Sequence, residues 1–357
     1  PLSHETFFRT LHAHNAHIKY SLPRFRDNCT FEVVVAAFVY RTRISVAHLE
    51  VENMSVSSTN LTNVDLESLV RTAVARETGL PLEAVESQPN KDKYRETAAP
   101  EASTASLEEI FHLMRSLNER AVSDPRIGCD TRGRWSFRDV LARYAADVAD
   151  AMHGREFTYV ELGPEPIKTT YLINRLRAFG ARIGRYIGVD INPASAGPMR
   201  EHLADVLDPA RIEVRVRDFA ELTSEDIHPT DAPSFVTMFG FQEGNEHPGT
   251  MAQRLERILR PGDLVASEMH VADTGNIEGL RAFYEASEMR RFSRLTFERM
   301  VGAMPSTYRI FTPHLNLGLG SPVVACVTGE AFRDPRSERP AVCLTNWCLK
   351  PQSAQLR

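Results

Sequence analysis

The spacing of hydrophobic positions changes along this 357-residue chain. From Thr158 onward, short apolar runs alternate with amphipathic stretches of roughly ten residues, the lengths typical of strands and helices. We predict strands at 159–162, 185–190, 211–218, 234–239 and 263–269, and helices at 169–179, 196–206 and 250–259. Alternating strands and helices predict a doubly wound α/β fold, in which helices cover both faces of a parallel sheet.

The chain ends with a different pattern. The segments PVVACVTGE and PAVCLTNWCLK are apolar, and the polar turn DPRSER separates them. Two apolar runs joined by a short polar turn are typical of a β-hairpin. We therefore predict an antiparallel hairpin at the edge of the sheet.

The first part of the chain has a mixed pattern. Residues 30–50 are rich in Val and Phe and predict two strands, and helices are predicted at 66–77 and 137–152. Another helix is predicted to begin at the capping box formed by Ser106 and Glu109. The polar segment 87–105 reads as a linker or surface loop. We divide the chain into an N-terminal mixed α/β region, 1–155, and an α/β domain, 156–357.

Composition narrows the function classes. The formal net charge is -5, and 42% of the residues are hydrophobic. These values are ordinary for a globular protein, and they lack the basic excess of most nucleic-acid-binding proteins. The longest apolar run, Val33 to Tyr40, is much shorter than the ~20 residues of a membrane-spanning helix. We expect neither a nucleic acid nor a membrane as a partner.

The cysteines and histidines add little chemistry. The five cysteines are scattered without a CxxC pair, which favours a reducing, cytoplasmic location over a disulfide framework. His12, His14 and His17 lie close in sequence, but no carboxylate joins them at a ligand-like spacing. We interpret them as a solvated face and predict no metal site.

Candidate binding residues follow the predicted strands. In an open α/β sheet, ligands bind outside the carboxyl ends of the strands. Asp190 follows the second strand and suits a pair of ribose hydroxyls, whereas Asp218 and Phe219 follow the third and suit an adenine ring. Gly163 permits a close approach of the backbone after the first strand, and the carboxylate of Glu161 suits a cationic group. The pattern predicts an adenosyl cofactor with a positive charge.

A dinucleotide is disfavoured by the first loop. Dinucleotide-binding folds need G-x-G-x-x-G after the first strand, so that backbone amides can bind the pyrophosphate. The loop here reads GPEPIK, with one glycine and two prolines.

Three motifs resemble those of class I S-adenosylmethionine-dependent methyltransferases, and more narrowly the family of the histidine N-alpha-methyltransferase of ergothioneine synthesis and the fungal dimethylallyltryptophan N-methyltransferases. The sequence VELG at 160–163, followed by Lys168 and Thr169, is similar to the family's ELGxGxxxKT pattern, with Glu165 in place of its second glycine. The sequence GFQEGN at 240–245 is similar to the family's GSTIGN loop, and LRPGD at 259–263 precedes the fifth strand.

This resemblance covers roughly residues 155–270. It implies a Rossmann-like class I methyltransferase sheet and S-adenosyl-L-methionine as cofactor. It implies the cofactor-binding residues Glu161, Gly163, Lys168, Asp190, Asp218, Phe219, Gly240, Gly244 and Asn245. By analogy, residues 1–155 and a substrate-side insertion at 271–315 select the substrate.

Three residues are candidates for catalysis: Glu243, Glu268 and His270. Glu268 and His270 alternate with Met269, so their side chains point to the same side of the strand. His270 is a candidate base for an oxygen or nitrogen nucleophile, and Glu268 is a candidate anchor for a substrate cation.

The function we predict is methyl transfer to a small molecule, at a nitrogen of an amino acid or of an amine or guanidine derived from one. Two alternatives stay open. One is an O- or C-methyltransferase of specialised metabolism, and the other is a non-catalytic binding protein with a degenerate methyltransferase fold, which the unusual GPEP loop favours. A small molecule is the expected partner, with a homodimer as an option for the assembly.

Overall fold

The computed structural model describes residues 33–39, 65–94, 100–124, 135–272, 277–302, 304–318 and 321–352. The strands are β1 (Val33–Val39), β2 (Val85–Glu86), β3 (Glu156–Leu162), β4 (Arg182–Asp190), β5 (Ile212–Val216), β6 (Ser234–Met238), β7 (Leu264–His270), β8 (Thr307–Phe311), β9 (His314–Leu315), β10 (Val323–Arg333) and β11 (Pro340–Lys350). The helices are α1 (Leu66–Thr78), α2 (Pro100–Ser123), α3 (Phe137–Met152), α4 (Pro166–Ala178), α5 (Ala196–Ala204), α6 (Ser224–Ile227), α7 (Pro248–Ile258), α8 (Ile277–Tyr284) and α9 (Ser287–Met300). Short 3-10 helices include Asn90–Tyr94, Phe219–Glu221 and Gln242–Asn245.

The larger sheet has six strands in the order β1-β7-β6-β3-β4-β5. Strands β3 to β7 pair with one another in parallel, which confirms the predicted α/β fold. The chain first proceeds outward from β3 through β4 to β5, and then returns to the other side of β3 with β6 and β7. This reversal creates a crevice at the carboxyl ends of β3, β4 and β6, where ligands bind in such folds.

Helices cover both faces of this sheet because the strand residues alternate in direction. Tyr159 on β3 packs with Phe235 and with residues of α3 and α4 in one core. The next residue, Val160, packs on the opposite face with residues of α7 in a second core. The five predicted strands and three predicted helices of this region are therefore present, with ends shifted by a few residues.

The C-terminal hairpin forms as predicted, but its predicted place at the edge of the parallel sheet is wrong. β10 and β11 pair antiparallel in a second sheet with β2, β8 and β9. Both long strands are buried along nearly their whole length, because α1 covers one face and α9 packs against the other. The antiparallel neighbour of β7 is instead β1, from the N-terminal region.

The N-terminal region contains helices in a polar segment that predicted none. The predicted linker at 87–105 is wrong over most of its described length, because residues 90–94 form a 3-10 helix and α2 begins at Pro100. Pro at the start of a helix costs no hydrogen bond, so α2 begins six residues before the capping box at Ser106. Residues 95–99, the second predicted strand of 30–50 and the histidines at 12, 14 and 17 lie outside the described residues.

The ends of α1 and α3 agree with the predictions because local capping fixes them. Ser136 and Asp139 form a capping box at the start of α3. Asp65 caps the start of α1, and Gly79, with a φ of 69°, caps its end after Thr78. Within the ranges given above, no helix is both long enough and apolar enough to cross a membrane.

Candidate functional site

A cavity of about 450 Å³ lies at the carboxyl ends of β3, β4, β5 and β6. Its opposite wall comes from the 3-10 helix 90–94, α2, α8, α9 and β11. Six of the predicted site residues line this cavity: Gly163, Asp190, Asp218, Phe219, Gly240 and Asn245. The volume is within the ~300–1,000 Å³ that small-molecule sites occupy.

The loop after β3 approaches the cavity closely at Gly163. Its φ of 73° favours glycine, and its amide donates a hydrogen bond of 2.8 Å to the Val189 carbonyl. A Cβ at this position would lie 2.5 Å from the Gln242 side-chain nitrogen. The glycine therefore allows the loops after β3 and β6 to meet at the floor of the cavity.

Glu165 caps the helix α4 that follows this loop, and its hydrogen bonds affect which ligand can bind there. Its carboxylate accepts hydrogen bonds from the backbone amides of Ile167 and Lys168, both at 2.9 Å. Amides at a helix N-terminus are the groups that bind a pyrophosphate in dinucleotide-binding folds. Because Glu165 occupies these amides, the structure adds a second reason against a dinucleotide to the missing glycines of the sequence.

Asp190 ends β4 at the cavity wall. One of its carboxylate oxygens accepts a hydrogen bond of 2.9 Å from the Asn192 amide. Burial raises the pKa of Asp190 to about 6, although the Asn192 hydrogen bond acts in the opposite direction. The carboxyl is thus mostly ionised at neutral pH and accessible from the cavity, as a partner for hydroxyl donors must be.

Asp218 and Phe219 follow β5. Asp218 accepts hydrogen bonds from the Ala220 amide at 2.9 Å and from the Lys91 side chain at 3.1 Å. Burial acts to raise the pKa of Asp218, but these hydrogen bonds and the charge of Lys91 outweigh it and hold the pKa below its usual value. The guanidinium of Arg254 lies 5.6 Å from the centre of the Phe219 ring.

The loop after β6 is held in an unusual conformation. Gly240 and Phe241 have φ values of 89° and 64°. Asn245 lines the cavity and accepts a hydrogen bond of 3.1 Å from Asn90, which lies in the segment predicted as a linker. Gly244 does not line the cavity, and it packs so tightly on β11 that a Cβ would meet the Leu349 carbonyl at 2.7 Å. This glycine joins the two sheets.

Lys168 and Glu268 form a buried ion pair behind the cavity wall. Their charged atoms are 2.6 Å apart, and both side chains are almost fully buried. Glu268 also accepts a hydrogen bond of 2.9 Å from the Gly240 amide. Neither residue lines the cavity, so the pair connects α4, β7 and the loop after β6 from below.

Glu161 is also beneath the cavity. Its carboxyl accepts hydrogen bonds from the hydroxyls of Thr169 at 2.5 Å and Tyr186 at 3.0 Å, and its other oxygen is buried with no hydrogen-bond partner among the described residues. Burial raises the pKa of Glu161 to about 8, although the two hydroxyls lower it. Glu161 is therefore mostly protonated at neutral pH.

We expect Glu161→Gln to change how stability depends on pH. A carboxyl whose pKa is raised by folding stabilises the folded state at low pH, and this contribution falls as the pH rises from about 4.5 to about 8. Gln is a neutral substitute, so the stability of the variant relative to the parent should grow by about 2–4 kcal/mol between pH 5 and pH 8. Chemical denaturation at both pH values measures the difference, and a difference that does not change with pH would contradict the buried, protonated state. Asp190 titrates equally in the variant and in the parent, so it does not contribute to the difference in stability between them.

His270 and Glu243 complete the candidates that lie behind the wall. The Phe241 ring lies over His270 with 3.7 Å between the ring centres and 36° between the ring planes, and Lys350 Nζ lies 3.4 Å from the His270 Nδ1 atom. Burial, together with the charges of Lys350 and Lys168, holds the pKa of His270 well below its usual value, so the ring is neutral. Burial raises the pKa of the Glu243 carboxyl above its usual value. Neither side chain lines the cavity.

The opposite wall is formed by residues that sequence reasoning did not name individually, although the ranges 1–155 and 271–315 assigned to the substrate contain several of them. They include Asn90, Lys93, Tyr284, Phe292, Asn346 and Trp347. Asn90 and Lys93 lie in the segment predicted as a linker, and the others lie in α8, α9 and β11. No pattern near these positions indicates a site, because only the packing of the second sheet brings them to the end of the first. In the part of the chain that the structure describes, no group of three or more His, Cys, Asp or Glu side chains could hold a metal ion.

Comparisons with known proteins return distant structural similarity alone. No protein-family model matches the chain, and no curated protein matches it. A methyltransferase from Geobacter sulfurreducens, solved with S-adenosyl-L-homocysteine, is 17% identical over 35% of this chain and 47% of its own, with a TM-score of 0.26. The match thus spans less than half of that protein.

Two other solved structures cover more of the chain. The CcbJ methyltransferase from Streptomyces caelestis is 16% identical over 60% of this chain and 74% of its own, with a TM-score of 0.31. An O-methyltransferase from Bacillus cereus, in complex with S-adenosyl-L-homocysteine, is 15% identical over 61% of this chain and 87% of its own, with a TM-score of 0.29.

Proposed function

We propose that this chain is an S-adenosyl-L-methionine-dependent methyltransferase that acts on a nitrogen of a small molecule, an amino acid or an amine or guanidine derived from one. The observation that carries the proposal is the convergence of Gly163, Asp190, Asp218 and Phe219 on one cavity, at the point where the strand order reverses. The oxygen or carbon of a specialised metabolite is the alternative acceptor.

The cavity residues fit the cofactor one by one. Asp190 presents a carboxylate for the two ribose hydroxyls. An adenine ring would stack on Phe219 and donate a hydrogen bond from its amine to Asp218. Gly163 leaves room for the backbone to contact the amino-acid end. Asp190 gives this side of the cavity a negative charge that no cation among the described residues pairs with, whereas Asp218 is paired with Lys91, and the charge of Asp190 favours a cationic ligand over a pyrophosphate.

The bound cofactor would supply a methyl group on a sulfonium, already activated for displacement. The chain itself has to align the acceptor with that methyl and exclude bulk water from the reacting atoms. The wall opposite the aspartates suits this task, because Phe283, Tyr284 and Phe292 give it an apolar aromatic surface.

The acceptor nitrogen must be neutral to react, so a proton has to leave it. Glu243, Glu268 and His270 lie behind the cavity wall, and we propose that they hold the wall in place and that water in the cavity takes the proton. The alternative of an O-methyltransferase needs a base at the acceptor, and the position of His270 beneath the Phe241 ring does not favour that role.

Calorimetry of the purified chain with S-adenosyl-L-homocysteine tests the proposal, and NADH serves as the matched control because it also carries adenosine. We expect micromolar binding of the homocysteine compound and at least about tenfold weaker binding of NADH, whose pyrophosphate lacks free amides at α4. Transfer of labelled methyl from S-adenosyl-L-methionine to a panel of amines and guanidines then identifies the acceptor. Binding without transfer would favour the non-catalytic alternative, and no binding would contradict the proposal.

A further inference from the structure

Lys93 is a buried cation in the wall of the cavity. It lies in the 3-10 helix 90–94, its exposed fraction is 5%, and it lines the cavity. Its ammonium donates hydrogen bonds to the side-chain oxygens of Asn346 at 2.5 Å and Asn90 at 3.4 Å. The rings of Phe292 and Tyr94 lie 5.0 Å and 5.5 Å from it.

Lys93 has no anionic partner in the part of the chain that the structure describes. No carboxylate among the described residues forms an ion pair with it, since its hydrogen-bond partners are neutral amides. Its neighbour Lys91, by contrast, pairs with Asp218. Burial lowers the pKa of Lys93 to about 7, although the Cys348 thiol acts in the opposite direction. A buried, unpaired ammonium is costly, and an anionic ligand would remove most of that cost.

The surroundings of Lys93 indicate what kind of anion fits. The rings of Phe292 and Tyr94 beside its ammonium belong to one apolar cluster with Met114, Phe283, Tyr284 and Met289, which also line the cavity and favour an apolar or aromatic body. The Asn346 amide, whose oxygen accepts from the ammonium, can also donate to a carboxylate oxygen, whereas the Asn90 amide already donates to the Asn245 side chain and the Trp347 carbonyl. The aspartates that we assign to the cofactor follow β4 and β5, and the cation of the 3-10 helix that pairs with one of them, Asp218, is Lys91.

From this geometry we propose that Lys93 binds a carboxylate of the methyl acceptor, and that the acceptor is an acid with an aromatic or apolar body. This inference rests on the proposed function, which makes the aspartate side of the cavity the cofactor side. A purely structural role is the competing explanation, in which Lys93 only ties the 3-10 helix to β11 through Asn346.

Binding of matched acids and amides tests the proposal in the full-length chain. The probes are 3-phenylpropanoate with 3-phenylpropanamide, and indole-3-acetate with indole-3-acetamide, titrated at pH 6.5 with saturating S-adenosyl-L-homocysteine. We expect at least one acid to bind about tenfold more tightly than its amide, because hydrogen bonds between charged groups are stronger than those between neutral ones. In Lys93→Met, the two should bind within about twofold of each other.

Lys350→Met is the matched control, because Lys350 is equally buried but does not line the cavity. It should retain the preference for the acid. Thermal unfolding of each variant separates the two roles of Lys93. Loss of an unpaired buried charge should leave the melting temperature of Lys93→Met unchanged or higher, whereas loss of a structural tie should lower it.

Two outcomes would overturn the proposal: the preference persists in Lys93→Met, or the parent prefers no acid over its amide. If, in the second case, Lys93→Met also loses affinity for S-adenosyl-L-homocysteine, the anion is the cofactor's own carboxylate. If the parent does not bind S-adenosyl-L-homocysteine, the same titrations are made without it. A preference that Lys93→Met removes would then support the anion site while the proposed function fails.

Discussion

Replacing Asp190 with Asn is expected to weaken binding of S-adenosyl-L-homocysteine about 100-fold. The carboxylate ends β4 at the cavity, with one oxygen held by the Asn192 amide. Asn can keep that hydrogen bond, but it replaces the charged acceptor for the ribose hydroxyls with a neutral amide. Hydrogen bonds to charged groups contribute about 1.5–3 kcal/mol each, and two hydroxyls account for the expected loss.

Asp208→Asn is the control for this experiment. Asp208 also follows a structural element and caps a 3-10 helix, but it lies at the opposite end of the sheet from the cavity. Its replacement should change the affinity less than about twofold. The affinity of the parent should also fall as the pH drops below about 6, where the Asp190 carboxyl becomes protonated, and Asp190→Asn should lack this fall. Equal affinities of parent and Asp190→Asn would contradict the assigned site.

Lys168→Met is expected to reduce the free energy of unfolding by about 3–5 kcal/mol. The variant leaves Glu268 buried without its cation, and a buried unpaired charge is among the costliest defects in a protein. Because Glu268 also accepts from the Gly240 amide, we expect the loop after β6 to loosen and the affinity for S-adenosyl-L-homocysteine to fall as well. Chemical denaturation measures the first effect and calorimetry the second.

A second substitution separates the lost charge from lost packing. Lys168→Met combined with Glu268→Gln removes both charges and keeps an acceptor for the Gly240 amide, so most of the stability should return. Arg182→Met is the control, since its pair with Glu156 is exposed and 3.8 Å long, and its loss should cost less than about 1 kcal/mol. A double variant as unstable as Lys168→Met would show that packing, not charge, makes this position important.

The α/β fold was predictable because its signals are local. β3 to β7 are short runs rich in apolar residues, amphipathic helices separate all of them except β5 and β6, and the reversal of strand order follows from this alternation in related folds. The edge of the sheet was not predictable. β1 and the C-terminal hairpin are both apolar enough to pair with β7, and the choice between them depends on which strands α1 and α9 cover.

The two walls of the cavity also differ in how far the sequence predicted them. Asp190, Asp218 and Gly163 reach the cavity because the carboxyl ends of parallel strands lie at one edge of the sheet. The alternation of side chains along β7 predicted that Glu268 and His270 point to the same side of the strand. In the structure, both side chains do lie beneath the loop after β6. Whether that side faced the cavity depended on Phe241, whose ring covers His270.

The sequence by itself determined the parallel sheet, the ends of α1 and α3, and the acidic residues at one edge, because periodicity, capping and strand ends act over a few residues. Only the tertiary structure decided which residues form the cavity wall opposite that edge. Asn90 and Asn245 are 155 positions apart, and Lys93 and Asn346 are 253 positions apart, yet each pair is joined by a hydrogen bond across the cavity wall. Such contacts form when two sheets pack together, and no local pattern in the chain encodes them.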